Sequence, residues 1–283
     1  MLFEFIEANS FFLYIKQIIS LIFKNLLQLP ICLVHYSKLK YNEHMKKILA
    51  RMRRAISDYN MIEPGDKIAV GLSGGKDSIM LLLALNKLRS FFPQKFEIVA
   101  VCLSLGFDGY DTEPLEKLCN NNEIDFVRED THIGTIVFDV RKETNPCSLC
   151  ANMRRGALNN AAIELGCNKV ALGHHYDDVI DTFFLSLLYE GRIHTFSPVT
   201  YLGRKNLHVI RPLVYVPEVE IKSFVRKNNI PIVKNPCPAN CQTSRQYIKD
   251  LIKNLCAQDP IIKTRVFGAI KRNFPEWNEK ANS

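Results

Sequence analysis

Residues 67–78 read KIAVGLSGGKDS, and the fold follows from how that stretch is parsed. Lys67–Leu72 has the apolar content of a short strand. Ser73-Gly74-Gly75-Lys76-Asp77-Ser78 is a small-residue turn, and Ile79–Leu88 (IMLLLALNKL) then predicts a buried helix. A strand, such a turn and a helix start together make an anion site. Glycines let backbone N–H groups approach a phosphate, and the helix N-terminus adds partial positive charge. Ser73 and Ser78 carry hydroxyl donors, Lys76 can offset phosphate charge, and Asp77 can hold a magnesium ion. The alternative is an ordinary strand-to-helix turn in which Asp77 and Ser78 act only as N-terminal caps.

The common P-loop is excluded, because it needs two glycines separated by four residues and then Lys-Ser/Thr. Here Gly74 and Gly75 are adjacent, and Asp77 follows Lys76. SGGKDS instead resembles the PP-loop of the ATP pyrophosphatase superfamily, enzymes that split ATP into AMP and pyrophosphate.

Outward from that stretch, strands and helices alternate. Phe96–Leu105, Ile124–Glu129, Lys169–Leu172 and Leu207–Pro212 read as strands. Pro114–Asn120, Asp178–Tyr189 and Pro217–Asn228 read as helices, as do two basic segments near Thr243–Leu255 and Pro260–Asn273. Alternation of this kind predicts an α/β fold, a parallel sheet with helices on both faces, plus a helical C-terminal segment. Ligands of such sheets bind beyond the carboxyl ends of the strands. SGGKDS lies at one such end, and Gly173-His174-His175-Tyr176-Asp177-Asp178 lies at another.

The expected organisation is an apolar extension over 1–40, a basic helix over 41–60, a catalytic domain over 61–255 and a helical tail over 256–283. Residues 1–40 are interrupted by Lys16 and Lys24, and no uncharged run reaches the roughly 18–20 residues a membrane span needs. No integral membrane association is therefore expected. The extension reads as an amphipathic helix, as a poorly ordered segment, or as sequence ahead of a translation start at Met45. Met45, Ile48, Leu49, Met52, Ile56 and Tyr59 recur at helical spacing, with Lys46, Lys47, Arg51, Arg53 and Arg54 on the other faces.

A net charge of +8 over 283 residues favours an anionic partner, nucleic acid first among them. The nine cysteines are an odd count without a secretory cleavage signal, which argues against a disulfide framework and for a cytoplasmic location. Cys102 and Cys119 sit among apolar neighbours and read as core; Cys32, Cys167 and Cys256 fit the same reading. Cys147 and Cys150 form a C-x-x-C in the segment Asn145–Cys150, at the mouth of a helix that favours thiolates. Cys237 and Cys241 follow in a proline-rich turn whose Asn235-Pro236-Cys237 repeats the earlier Asn145-Pro146-Cys147. Two such clusters point to a metal. Four thiolates suit structural zinc; three suit an iron–sulfur cluster with one iron open.

From about Met45 to Leu255 the chain resembles the tRNA 2-thiocytidine synthetase (TtcA) family. The matching stretches are SGGKDS, NPCSLCANMRRGAL, ALGHHYDDVIDT, VIRPL and the late PCP…SRQ block. The resemblance implies a Rossmann-like PP-loop fold of the HUP type. It also implies ATP-dependent activation of the C2 carbonyl of an anticodon-loop cytidine, whose oxygen sulfur then replaces. The family carries a 4Fe-4S cluster on three cysteines. Two match Cys147 and Cys150, and the family's spacing to the arginine of the SRQ block, here Arg245, carries the third role to Cys237. Cys241 departs from the family pattern and keeps a zinc site open. Asp77 and the three cysteines are thus the implied catalytic residues. Ser73, Gly74, Gly75, Lys76, Asp77, Ser78, Gly173, His174 and Asp178 line the implied ATP site, the latter block being shared with lysidine synthetases. Arg154, Arg155, Arg192, Arg204, Lys205 and Arg211 are candidate tRNA contacts, although Arg154 and Arg155 could equally stabilise thiolate or cluster charge. A sulfur donor such as a cysteine desulfurase is the implied partner, and a homodimer is a candidate assembly. The competing readings are a lysidine-type tRNA ligase and a zinc-stabilised RNA-binding module without catalysis.

Overall fold

The computed structural model describes residues 43–142, 146–233, 236–237 and 244–278. The expectations for residues 1–40, Cys32 and Cys241 lie outside them. The chain divides into a unit of residues 1–46 and a unit of residues 47–283. The second unit carries the whole sheet and both of the turns picked out in the sequence.

Lys67–Gly71 (β1) and Glu97–Ser104 (β2) are buried along most of their length, as the central strands of a sheet covered on both faces must be. With Asp125–Asp130 (β3), Lys169–Ala171 (β4), Val199–Leu202 (β5) and Leu207–Ile210 (β6) they form one sheet in the order β3-β2-β1-β4-β6-β5. The pairs β1–β2, β1–β4, β2–β3 and β4–β6 are parallel. In register, Ile68 lies opposite both Ile98 and Lys169. β5 is antiparallel to β6, so the sheet is mixed at one edge. Its turn passes through a short 3₁₀ segment, Gly203–Lys205, and Asn206 in a left-handed conformation at φ 46°. The sequence reading missed β5 because it is four residues long and only partly buried, too short for alternation to register.

A helix over 43–58 (α1) precedes β1. Lys76–Arg89 (α2) follows β1 and is buried nearly all round, including Ile79, Leu82 and Leu85. It begins three residues before the expected start, because Lys76, Asp77 and Ser78 form its first turn. Glu113–Asn120 (α3) and Ile133–Thr135 (α4) come next, the latter running into a π-helical turn, Ile136–Val140. Pro146–Glu164 (α5) carries the C-x-x-C at its start, and Tyr176–Leu185 (α6) also ends in a π-helical segment, Ser186–Glu190. Glu218–Lys227 (α7), Ser244–Gln258 (α8) and Ile262–Asn273 (α9) complete the set.

The boundary expected at 255/256 falls inside α8, and the segment beyond is built into the same core. Trp277 is 1 % exposed, meets Tyr59 and Phe267 edge-on and donates its Nε1–H to Phe196 O at 3.1 Å. Buried Lys169 pairs with buried Asp66 at 2.8 Å and donates to Met61 O. The strand order reverses between β1 and β4. That switch point opens a crevice at the carboxyl ends of the two strands, between SGGKDS and GHHYDD.

Candidate active site

The SGGKDS turn is held by its own side chains. Ser78 Oγ donates to Gly75 O at 2.9 Å and accepts from Ser73 N at 3.2 Å and from Ser73 Oγ at 3.1 Å. Gly74 has φ +81°, and a Cβ there would stand 2.8 Å from Val233 O. Only glycine fits both the conformation and the contact. Val233 N–H donates to Gly74 O at 3.0 Å, tying the turn to the segment that leads toward Cys237. Tyr110 adds a hydroxyl donor to Ser73 O at 3.4 Å.

The second turn presses against the first. A Cβ on Gly173 would come within 3.0 Å of the Asp77 backbone. The two neighbouring histidines then divide their roles. His175 is 2 % exposed and caps α6. Its Nδ1 accepts from Asp178 N–H at 3.3 Å while its own N–H donates to Asp178 Oδ2 at 3.1 Å, a capping box. The cap is therefore a buried one. His174 instead faces a cavity and packs on the Phe196 ring at 4.8 Å. Burial, then the Arg211 charge, pushes its pKa down to about 4, so the ring is neutral at physiological pH, and its Nδ1 has no partner.

That cavity measures about 540 Å³, within the range of small-molecule sites. Ser73, Asp77, Ser78, Gly173, His174 and Asp178 line it, together with Arg154, Arg155, Arg211 and Arg245. Val101, Leu103, Leu158 and Leu172 supply an apolar wall. Gly74, Gly75 and Lys76 do not line it. Lys76 Nζ lies 2.8 Å from Asp77 Oδ2 and 3.0 Å from Glu218 Oε1. Burial works against charge on Lys76, but the two carboxylates outweigh it and raise the pKa. Glu218 shows the converse: burial would raise it, but hydrogen bonds from Lys222 and Lys76 hold it at about 2. Asp77 keeps its Oδ1 buried and without a hydrogen-bond partner, with His175 Nε2 3.6 Å away. Asp178 Oδ1 meets Arg245 Nη1 at 3.2 Å, and Asp177 accepts from Glu218 N–H at 2.7 Å and from Lys263 at 2.5 Å.

Cys147 and Cys237 are exposed and Cys150 is buried; none is in a disulfide. Burial pushes the Cys150 thiol up; Arg154 pulls it back and Cys237, within electrostatic reach, pushes it further. Thiolate character expected from the helix start is thus overridden at Cys150 by desolvation. Among the described residues, no three His, Cys, Asp or Glu side chains stand close enough to hold a metal ion. Cys102, Cys119 and Cys167 are buried as expected, whereas Cys256 is only partly so.

Arg155 and Arg211 line both this cavity and a neighbouring one, which Arg204 and Lys205 also line. Arg192 is exposed and lines neither. Sequence reasoning missed Glu218, Tyr110 and Phe196 as site residues and used Arg245 only as a spacing mark. The Lys76–Glu218 pair joins distant segments and leaves no local signal.

A family model described as the PP-loop domain matches residues 41–255. The chain is 40 % identical over 233 residues to the tRNA-cytidine(32) 2-sulfurtransferase of Geotalea daltonii, covering 81 % of this chain and 92 % of that one. The enzyme of the same name from Geotalea uraniireducens is 37 % identical over 234 residues, 82 % and 93 % of the two chains. The chain belongs to the tRNA-cytidine 2-sulfurtransferase family of PP-loop proteins. Membership displaces the lysidine-type ligase and the non-catalytic zinc module. Among solved structures, the U34-tRNA thiolase NcsA from Methanococcus maripaludis, with its [4Fe-4S] cluster, superposes with a TM-score of 0.68 at 27 % identity, over 82 % of this chain and 79 % of that one. Among the described residues, no helix is long and apolar enough to cross a membrane.

Proposed function

We propose that this chain is an ATP-dependent tRNA thiolase that acts on an anticodon-loop cytidine. The observation that carries the reading is one shared cavity: the SGGKDS turn, the GHHYDD turn and α5, the helix that starts with the cysteine pair, all line it. The cytidine C2 oxygen attacks the α-phosphorus of ATP and pyrophosphate leaves. Sulfur at the sulfide level (HS−) then attacks C2 and gives up its proton, and the C2 oxygen departs on AMP as the C=S bond forms.

The residues fit ATP. The N-terminus of α2 opens onto the cavity, Arg154 and Arg211 supply positive charge, and the apolar wall suits a base. Ser73, Gly74, Gly75, Lys76 and Ser78 shape and hold the phosphate turn, with Lys76 acting through its pair with Asp77. The unpartnered Oδ1 of Asp77 suits a magnesium ion. Gly173, His174 and Asp178 line the same cavity beside that turn. Neutral His174 accepts or donates a hydrogen bond without adding charge.

The donor chemistry also fits an iron–sulfur cluster, since Cys147, Cys150 and Cys237 are thiols outside any disulfide and Cys237 lies within electrostatic reach of Cys150. When bound, a 4Fe-4S cluster supplies an iron that can carry sulfur to the activated base. Arg155, Arg192, Arg204 and Lys205 are the cations left to grip the tRNA backbone, Arg154 and the buried Arg211 being given to the nucleotide. A cysteine desulfurase as sulfur donor, a cytoplasmic location and a homodimeric assembly extend the same reading. Anaerobic purification followed by visible absorption and iron, sulfide and zinc analysis tests it. Iron and sulfide with cluster absorption are expected; stoichiometric zinc without iron contradicts the cluster assignment.

A further inference from the structure

We infer that Arg245 is a phosphate-binding residue of the nucleotide site, held in reserve by Asp178 and exchanging that carboxylate for the polyphosphate when ATP enters. The inference rests on the ATP reading of the cavity and adds a contact from α8, a helix that belongs to neither of the two turns.

Arg245 is the second residue of α8 and lines the nucleotide cavity. Its Nη1 donates to Asp178 Oδ1 at 3.2 Å, across 67 residues of chain. That is a single-pronged contact from a group with five N–H donors, and 43 % of the arginine side chain stays exposed. Arg155 and Arg211 line the same cavity but are tied to neutral oxygens. Arg155 donates to Ala151 O and Asn152 Oδ1, and Arg211 to Ser197 O and Thr200 Oγ1. Arg245 differs from both in being held by an acid that itself lines the cavity. A partly solvated ion pair of this kind holds weakly. A guanidinium fork meets a phosphate through two charge-assisted bonds. A ligand with several phosphate charges therefore outcompetes one carboxylate for it.

The exchange costs the fold little. Asp178 Oδ2 accepts from His175 N–H at 3.1 Å, so the cap of α6 persists when Oδ1 is released. Nor does α8 depend on Arg245 for its place. Ile248 and Ile252 are fully buried, and one turn beyond Arg245, Lys249 Nζ lies 4.0 Å from Asp181 Oδ2.

The charge balance points the same way. Arg154, Arg155, Arg211 and Arg245 line the cavity against two carboxylates, Asp77 and Asp178. That excess of positive charge suits a polyphosphate. The first turn of α8 holds no acid, although helix starts favour one. The end that carries Arg245 therefore adds its own partial positive charge.

The test compares binding of ATP and of adenosine to the full chain by titration calorimetry, with adenosine read by competition. Arg245→Ala should weaken ATP binding about ten- to a hundredfold and leave adenosine binding within about twofold. Thermal unfolding should stay cooperative, and Arg245→Lys should recover part of the ATP affinity. Lys249→Ala is the control. It breaks the other ion pair between α6 and α8 but lies outside the cavity lining, and it should leave ATP affinity unchanged. An Arg245→Ala variant that binds ATP as the unsubstituted protein does overturns the inference. So does an equal loss for ATP and adenosine, or an ATP loss in Lys249→Ala as large as that in Arg245→Ala, because either would make Arg245 a staple between helices. If the unsubstituted protein binds no ATP, the ATP reading itself fails and the contact with it.

Discussion

Replacing Asp181 by asparagine should stabilise this protein at neutral pH and do nothing in acid. Asp181 sits on α6, 3 % exposed, and its Oδ2 has no hydrogen-bond partner. The nearest cation, Lys249 Nζ, is 4.0 Å away. Burial raises its pKa from 3.8 to about 6, with Lys249 moderating and Asp178 adding to the rise. Folding therefore holds a proton that the unfolded chain gives up. Between pH 3.8 and about 6 the native state binds more protons than the unfolded one, so stability falls as pH rises through that window. Two units at about 1.4 kcal/mol each set a ceiling of about 3 kcal/mol. With Lys249 partly solvated beside it, about 1–3 kcal/mol is expected. The assay is urea unfolding of both proteins from pH 4 to pH 8. The neutral amide matches the protonated acid, so the two should agree near pH 4, and Asp181→Asn should be the more stable above pH 6. His174, depressed to about 4, drives stability the other way, upward with pH between about 4 and 6.5, but it is common to both proteins and cancels in the difference. A gap independent of pH, or a variant less stable at pH 7, would refute the role given to this buried carboxylate.

Asp77→Ala should lower tRNA-dependent ATP cleavage more than about a hundredfold while thermal unfolding stays cooperative; a folded variant with undiminished pyrophosphate release contradicts the role given to that carboxylate. Cys237→Ser should remove both iron and thiolation, whereas Cys241→Ser should leave them nearly unchanged, and iron content after anaerobic reconstitution separates the two. Affinity for tRNA should fall steeply with salt, and replacing Arg204 and Lys205 together by alanine should reduce the slope of log K against log salt by about two if both touch phosphates. An identical slope would remove them from the interface. Deleting residues 1–40 should leave a cooperatively unfolding, active protein, checked by calorimetry and by ATP cleavage.

Some of this architecture was readable in the chain because its signals are contiguous. β1 and β2 hold apolar runs, Ile68–Val70 and Ile98–Leu103, which burial on both faces of a parallel sheet produces, and α2 holds another over Ile79–Leu85. Both crevice turns could be found because phosphate chemistry needs small residues and caps in sequence. The miss at the start of α2 has the same origin: Lys76-Asp77-Ser78 looks like loop because a helix's first turn is polar. What was hidden depends on packing between distant segments. His174 and His175 are adjacent and identical in type, yet one caps a helix inside the core and the other lines a cavity. Glu218 holds Lys76 from a helix far along the chain. Arg211 was one of six candidate tRNA contacts in the sequence, and only the fold buries it at the wall of two cavities.

The central claim is tested most directly by the product. Anaerobically prepared protein, incubated with unmodified tRNA, ATP, magnesium and sulfide, should convert an anticodon-loop cytidine to its 2-thio form, read by nuclease digestion and mass spectrometry. AMP and pyrophosphate should appear in step with it. Unaltered cytidine alongside an intact cluster and bound ATP, or a cytidine carrying an amino-acid adduct in place of sulfur, would contradict the claim.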